Sequence, residues 1–376
     1  MSYHINKFHE ESIFSIFITK LLKINWIIVF CVILLCAIGV ASLYSAAGGD
    51  WNPWAKSHFL RSLFGIFLMF FIALLPPKLF YKLSVPSFLF GLLSLFFVKF
   101  FGVGDVQRWI SIGGFNFQPS EPMKLVLILM LAKYFDNISK MQLNQIFPYI
   151  FPIICICLPG FIVMSQPDLG TGLTIIILGM AILFYVGISL KVVFFFLLAL
   201  ISFVPIIWQQ LYDYQKNRIL VFLNPQLDSL GSGYQIIQSK IAIGSGGFFG
   251  KGFLNGSQSY LDFLPEKHTD FIFTLFSEEF GFFGSIFILL LYVLIVHRII
   301  KIGHITRNNF GKLYCYGFAT AFFVYVAVNM GMVLGLLPIV GAPLPIMSYG
   351  GSSMLAIMFG LSIVMSCKIY KDVPVN

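Results

Sequence analysis

Charge is scarce in this sequence. Asp, Glu, Lys and Arg make up 10% of its 376 residues, against about 25% in an ordinary soluble domain. With 59% apolar residues and 44 Phe, a soluble chain of this length has too little interior to hide its apolar surface. A cytosolic enzyme, a disordered chain and a disulfide-stapled secreted domain are excluded. Cysteine is sparse and unpatterned. Cys31, Cys36, Cys155, Cys157, Cys315 and Cys367 lie in or at the end of apolar runs, so they read as packing residues with no disulfide or metal framework. The first 23 residues lack the short apolar core and small-residue cleavage site of a signal peptide, so the first apolar run is expected to stay as an anchor. No GxxxxGK[ST] phosphate loop is present, and no internal repeat is visible. The net charge of +9 is spread between apolar runs, which argues against nucleic acid as a partner.

What is abundant is long, unbroken apolar sequence. Barrel strands show short alternating patterns; these runs are helix-length. The expected fold is therefore all-α, a polytopic membrane helix bundle with about ten transmembrane helices. The spans fall near 25–45, 58–75, 83–101, 118–135, 146–164, 169–187, 191–209, 272–297, 313–336 and 345–367. Between the last two, Gly335, Pro338, Gly341, Pro343 and Pro345 supply turn chemistry, so a tight outer loop is expected there. With the N-terminus inside, cytoplasmic segments hold 14 of the 24 basic residues, a bias that puts both termini in the cytoplasm. The chain reads as one membrane domain over 1–376, with a cytoplasmic segment at 1–24 and one large outer loop at 211–269.

That loop, 59 residues from Leu211 to Thr269, is long enough to be functional and carries ordered-looking sequence. Tyr234, Ile237 and Ile241 share one face of a predicted amphipathic helix on the outer membrane surface. A glycine run follows, Gly244 to Gly252, which either brings backbone close to something or merely permits a tight turn. The loop ends with Glu266, Lys267, His268, Thr269 and Asp270 directly before an apolar helix. Helix capping by Thr269 or Asp270 explains one of these groups, not all. Glu278 and Glu279 lie about 12 Å further along the same helix, and carboxylates at such depth face a cavity or a partner.

Three more outer-side features stand out. Gln107-Arg108-Trp109 precedes span four. Glu121 and Lys124 open that span three residues apart, on one helix face, as a structural ion pair or as ligand groups. Asp168, after Gln166 and Pro167, caps span six or pairs with a cation, Arg61 being a candidate. The unexplained membrane-edge charges thus gather on the outer side. A carboxylate there, with cations around it and an apolar bundle behind, suits an amphiphilic substrate. If its head is a diphosphate, Arg108, Lys124, Lys240 and Lys251 are placed to neutralise it. A lipid diphosphate is a good leaving group, so glycosyl transfer from it needs one base for the attacking hydroxyl, and Asp270 is the candidate.

These motifs, with Gly233-Tyr234-Gln235-Ile236-Ile237-Gln238-Ser239, Leu264 through Phe273 and Pro343 through Ser352, resemble the shape, elongation, division and sporulation (SEDS) family, most of all its rod-shape branch. The resemblance spans nearly the whole chain beyond residue 20. It implies ten spans and peptidoglycan glycosyltransferase activity on lipid II at the periplasmic face of the bacterial inner membrane. It also implies a class B penicillin-binding protein as partner, among other elongation-complex membrane proteins. Asp270 matches the family's catalytic Asp. Trp109, Glu121 and Lys124 match family positions at the site, with Glu266 and His268 in the same neighbourhood as Asp270. Asp168, Glu278 and Glu279 are expected to be structural or to support the site. No cofactor or resident metal is required; a divalent cation assisting the diphosphate stays open. The rival reading is a lipid II flippase without chemistry, which Glu278 and Glu279 favour. Flippase sites tend to lie at the bilayer midplane between repeats, and here the charges lie to one side. A pure scaffold would leave Asp270 and the long loop unexplained.

Overall fold

Apolar backbone in lipid must satisfy its hydrogen bonds internally, so each long apolar run folds as a helix. The computed structural model describes residues 13–102, 108–112, 115–139, 141–166, 168–188, 213–228, 231–256 and 266–374, with isolated positions at 198, 202, 208 and 209. Among them run α1 (Ile13–Lys23), α2 (Trp26–Ala46), α3 (Trp54–Ala73), α4 (Pro77–Phe101), α5 (Ser120–Asp136), α6 (Phe147–Met164), α7 (Leu169–Val186), α8 (Asp213–Leu223), α9 (Ser232–Ser245), α10 (Ile272–Ile305), α11 (Asn309–Val333) and α12 (Gly351–Ile369). Eight of these helices are long and apolar enough to cross a membrane, and α5 has 17 residues. Nine of the ten expected spans thus carry a helix; the seventh, 191–209, lies almost wholly outside the described residues. The chain is a multi-pass membrane helix bundle.

Its centre is α5, α11 and α12, where Leu127, Ile128, Phe318, Phe322, Met358 and Leu361 are buried. On the outside, α3 and α4 expose Phe64, Phe67, Phe71, Phe90 and Phe100, the surface that hydrocarbon covers. Two elements escaped the hydropathy reading. Within the segment expected to be cytoplasmic, 1–24, α1 forms, with Leu22 exposed and Lys20 Nζ 5.2 Å above the Tyr370 ring. A short antiparallel hairpin, β1 (Ile110–Ile112) and β2 (Phe115–Phe117), precedes α5, with Ile110 opposite Phe117.

The connection between α11 and α12 corrects an expectation. The last span begins at Gly351, not near 345, and residues 334–350 are no tight outer loop. Leu344, Ile346, Met347 and Ser348 are buried. Non-helical backbone at such depth needs protein partners. Leu344 N donates to Ser348 Oγ at 2.8 Å, the Tyr292 hydroxyl donates to the Pro345 carbonyl at 2.7 Å, and Asn329 Nδ2 donates to the Ala342 carbonyl at 2.7 Å.

In α9 protein covers a face other than the Tyr234, Ile237 and Ile241 face expected on the membrane surface. Ile236, Ser239 and Ala242 are buried, while Ile241 is exposed. The reason is polar. The Ser239 hydroxyl donates to the Val333 carbonyl at 2.8 Å and pairs with Thr274 Oγ1 at 2.8 Å, fixing α9 against α10 and α11.

The glycine run is explained by a break in α10. Gly281 has φ 66° and ψ −158°, a conformation open to glycine alone. The break frees carbonyls at 278 and 279 and amides at 282 and 283. All four find partners in the run: Lys251 N and Gly252 N donate to the Glu278 and Glu279 carbonyls, both at 3.0 Å, and Phe282 N and Phe283 N donate to the Gly247 and Phe248 carbonyls at 2.9 and 3.2 Å. The side chains reinforce this dock. Lys251 Nζ lies 2.7 Å from Glu278 Oε1, and Glu279 Oε1 accepts from Leu254 N at 3.2 Å and from the Ser45 hydroxyl.

Candidate functional site

Asp270 ends a tight turn, 266–271, at the mouth of α10. Within it Thr269 N and Phe271 N donate to the Glu266 carbonyl, both at 3.2 Å, and Thr269 Oγ1 donates to Glu266 Oε2 at 2.7 Å. The turn is pinned from behind by buried Asn329, whose Nδ2 donates to the Asp270 carbonyl at 2.8 Å. Thr269 and Asp270 are not helix caps: the N-cap is Phe271, with no side-chain cap bond. The Asp270 carboxylate is therefore not used up locally. Half-buried, it makes no hydrogen bond or ion pair among the described residues. Burial, then the negative charge of Glu266, push its pKa up to about 7, against a downward pull from Arg218. A carboxylate poised there can take a proton from a hydroxyl near neutral pH.

One side of this turn is an aromatic wall. His268 stacks on Trp54, centroids 4.4 Å apart and planes within 9°, and Tyr349 lies 6.0 Å away. Tyr349 N donates to the His268 carbonyl at 3.0 Å. His268 Nδ1 is buried with no hydrogen-bond partner among the described residues, and burial lowers its pKa. A neutral imidazole wedged in this way positions the turn better than it would hold an anion.

Across Gly341 lies a second cluster. A side chain at Gly341 would place its Cβ 3.6 Å from Asp270 Oδ2. The same glycine lines a narrow crevice of about 40 Å³ with Gln118, Glu121, Lys124, Thr171 and Tyr325. Glu121 and Lys124 are both buried and pair at 2.8 Å. The Tyr325 hydroxyl accepts from Lys124 Nζ and donates to Glu121 Oε2, closing a three-membered network.

The other expected residues separate. Asp168 accepts from Thr171 N at 3.1 Å, capping α7, and lies 3.7 Å from Arg108 Nε. Arg61, its expected partner, instead sits 4.7 Å over the Tyr349 ring. Trp109 is exposed just before β1; Gln107 and Pro167 fall outside the described residues. Lys240 is exposed and arches over Gly335, where an added Cβ would meet its Cε at 2.2 Å. Lys251, Glu278 and Glu279 are engaged in the α10 dock. Sequence reasoning missed Arg218, Asn329, Tyr325 and Trp54. Only Asn329, a carboxamide inside an apolar run, carried a signal. Among the described residues no three His, Cys, Asp or Glu converge on a metal position.

The profile of the FtsW/RodA/SpoVE family, described as cell cycle proteins, matches residues 19–372. The chain is 38% identical over 333 residues to the peptidoglycan glycosyltransferase MrdB of Escherichia coli K12, covering 88% of this chain and 89% of that protein. It is 34% identical over 365 residues to stage V sporulation protein E of Bacillus subtilis, covering 94% and 99%. Among solved structures it is similar to a chain of a peptidoglycan synthase complex that coordinates polymerization and crosslinking, with TM-score 0.80, 31% identity and coverage of 93% and 99%. It is also similar to the rod shape determining protein RodA of Thermus thermophilus, with TM-score 0.69, 26% identity and coverage of 93% and 98%. Sequence and fold agree over almost the full length, and the chain belongs to the FtsW/RodA/SpoVE family of cell cycle proteins.

Proposed function

We propose that this protein is a peptidoglycan glycosyltransferase that polymerises lipid II at the periplasmic face of the inner membrane, during elongation of a rod-shaped cell. The relatives named peptidoglycan glycosyltransferases support the activity. The observation that carries the mechanism is the Asp270 carboxylate: half-buried, unpaired among the described residues, and raised in pKa at the mouth of a membrane bundle. Asp270 takes the proton of the attacking sugar hydroxyl. That oxygen bonds to the anomeric carbon of the donor. The bond from this carbon to the diphosphate oxygen breaks, and its electron pair leaves with the lipid diphosphate.

Arg218, whose charge acts on Asp270, and Lys240, which reaches over Gly335, are the cations assigned to the diphosphate, with Arg108 and the exposed Trp109 elsewhere on the outer side. Glu121, Lys124 and Tyr325 shape the crevice beside Gly341. Glu266 and His268 tune and seat Asp270, while Asp168, Lys251, Glu278 and Glu279 hold the scaffold. An apolar groove of about 500 Å³ between α9, α10 and α11, lined by Ile243, Phe273, Leu289 and Met330, offers surface to a prenyl tail. Its edge residue Leu334 neighbours Gly335, over which Lys240 reaches.

The basic residues of the short loops favour cytoplasmic termini, which turns the 211–269 loop and Asp270 to the periplasm. The similarity to a synthase-complex chain supports a crosslinking partner, a class B penicillin-binding protein, alongside other elongation-complex proteins. The test uses purified protein, that partner and labelled lipid II. Wild type should make glycan strands and Asp270→Asn should make none while unfolding at the wild-type temperature. Normal polymerisation by Asp270→Asn removes the base; scrambling of lipid II by a wild type that forms no glycan establishes the flippase reading instead.

A further inference from the structure

The mechanism above leaves one outer cavity unused. The connection between α2 and α3 and the 266–271 turn border an open cleft of about 330 Å³, lined by Gly48, the exposed Asp50 and Asn52, Trp54 and Lys267 among others. That lies within the range of about 300–1,000 Å³ usual for small-molecule sites. One face of Trp54 is taken by His268; the indole also lines the cavity. Asp50 Oδ1 accepts from Asn52 N at 3.0 Å, which fixes the loop, and Lys267 is buried. The lining is chemically specific. It combines an aromatic side chain with a carboxylate and a carboxamide, so donors and acceptors are both present, and the buried Lys267 borders them. A diphosphate would meet Asp50 as repulsion. A neutral, hydroxyl-rich ring with an apolar C–H face meets every group favourably.

Position narrows the choice. Lys267 is three residues before Asp270, and Trp54 touches His268, two residues before it. We infer that this cavity is a saccharide subsite that holds the glycan one step removed from the reacting sugar, and so keeps the strand bound between successive transfers. The inference rests on the polymerase reading above.

The test measures strand length with the wild-type complex and variants, the partner's transpeptidase being blocked with a β-lactam, at equal lipid II consumption. Trp54→Ala should shorten the mean strand at least threefold, and the double variant Asp50→Asn/Asn52→Ala, which leaves the His268 stack intact, at least twofold. Trp51→Ala removes an exposed neighbouring indole that packs on Tyr44 and does not line the cavity; its strands should match wild type. Comparison at equal consumption separates strand retention from mere slowing. Unchanged lengths in both cavity variants of an active enzyme overturn this inference alone. A wild type that makes no glycan overturns the parent reading and this one together.

Discussion

The raised pKa of Asp270 makes a prediction with a definite sign. With a pKa of about 7, the carboxylate is about 9% ionised at pH 6 and about 91% at pH 8. A base must be ionised to accept the proton, so kcat/KM for glycan formation should rise about tenfold from pH 6 to pH 8 and level above that. An Asp at its ordinary value of 3.8 would be ionised throughout and give a flat profile. The two charges around Asp270 move the limb in opposite directions. Glu266 raises the pKa, so Glu266→Gln should shift the limb to lower pH. Arg218 lowers it, so Arg218→Gln should shift the limb to higher pH. For single charges near a protein surface each shift is of the order of a few tenths of a unit to one unit, and Glu266 should have the larger effect because it is the stronger contributor. The assay is initial-rate polymerisation of labelled lipid II in detergent or nanodiscs, with stability checked at each pH. A flat wild-type profile from pH 5.5 to 8, or shifts of the same sign in the two variants, refutes the assignment of Asp270 as the titrating base.

Three further outcomes follow from particular contacts. Lys124→Met strands Glu121 in the bundle and should cost about 3–5 kcal/mol of stability, whereas Glu121→Leu/Lys124→Met should recover much of that; thermal unfolding of both variants checks it. Asp168→Ala should lose about 0.5–2 kcal/mol as the α7 cap goes, and Asp168→Asn, which can still cap, should unfold close to wild type. Gly281→Ala should destabilise by about 1–3 kcal/mol from backbone strain alone. Its Cβ would also meet Gly250 N at 2.4 Å, so limited proteolysis should cut near 246–256 faster than in wild type.

The fold was legible where one physical cause dominates. A run of apolar residues has only one way to cross hydrocarbon, so nine of the expected spans carry helices. Legibility fails where the partner is distant in sequence. Nothing near Asp168 announces Arg108, nothing near Glu278 announces Lys251, and Tyr325 lies 204 residues from Glu121, whose pair with Lys124 it completes. Periodicity alone also does not name the partner of an apolar face in a membrane, which can be lipid or protein alike. In α9 the side that packs is set by Ser239 and its two hydroxyl contacts, and the apolar Ile241 is left outside.

The same limit shaped the reading of the candidate site. In the sequence Glu121 and Lys124 can be an ion pair or ligand groups, and Asp168, Glu278 and Glu279 structural or supporting; in the structure these groups divide by what they contact. Glu278 pairs with Lys251, Glu279 accepts two hydrogen bonds at Oε1 while its Oε2 is buried without a partner among the described residues, and Asp168 caps α7. Glu121 and Lys124 consume one another through Tyr325. Asp270 differs because its backbone carbonyl, not its carboxylate, anchors the turn through Asn329. Holding a residue by its main chain keeps the side chain in place without drawing on its charge. This requires a donor-poor surround for the carboxylate and a donor buried behind it for the carbonyl, and Asn329, buried near the end of α11 where an unpaired carboxamide is costly, supplies that donor. Asn329→Leu should therefore reduce polymerisation by freeing the turn, without shifting the pH limb. A shift of the limb with the turn still ordered would show that Asn329 acts on the carboxylate itself, and would undo the distinction between anchoring and chemistry drawn here.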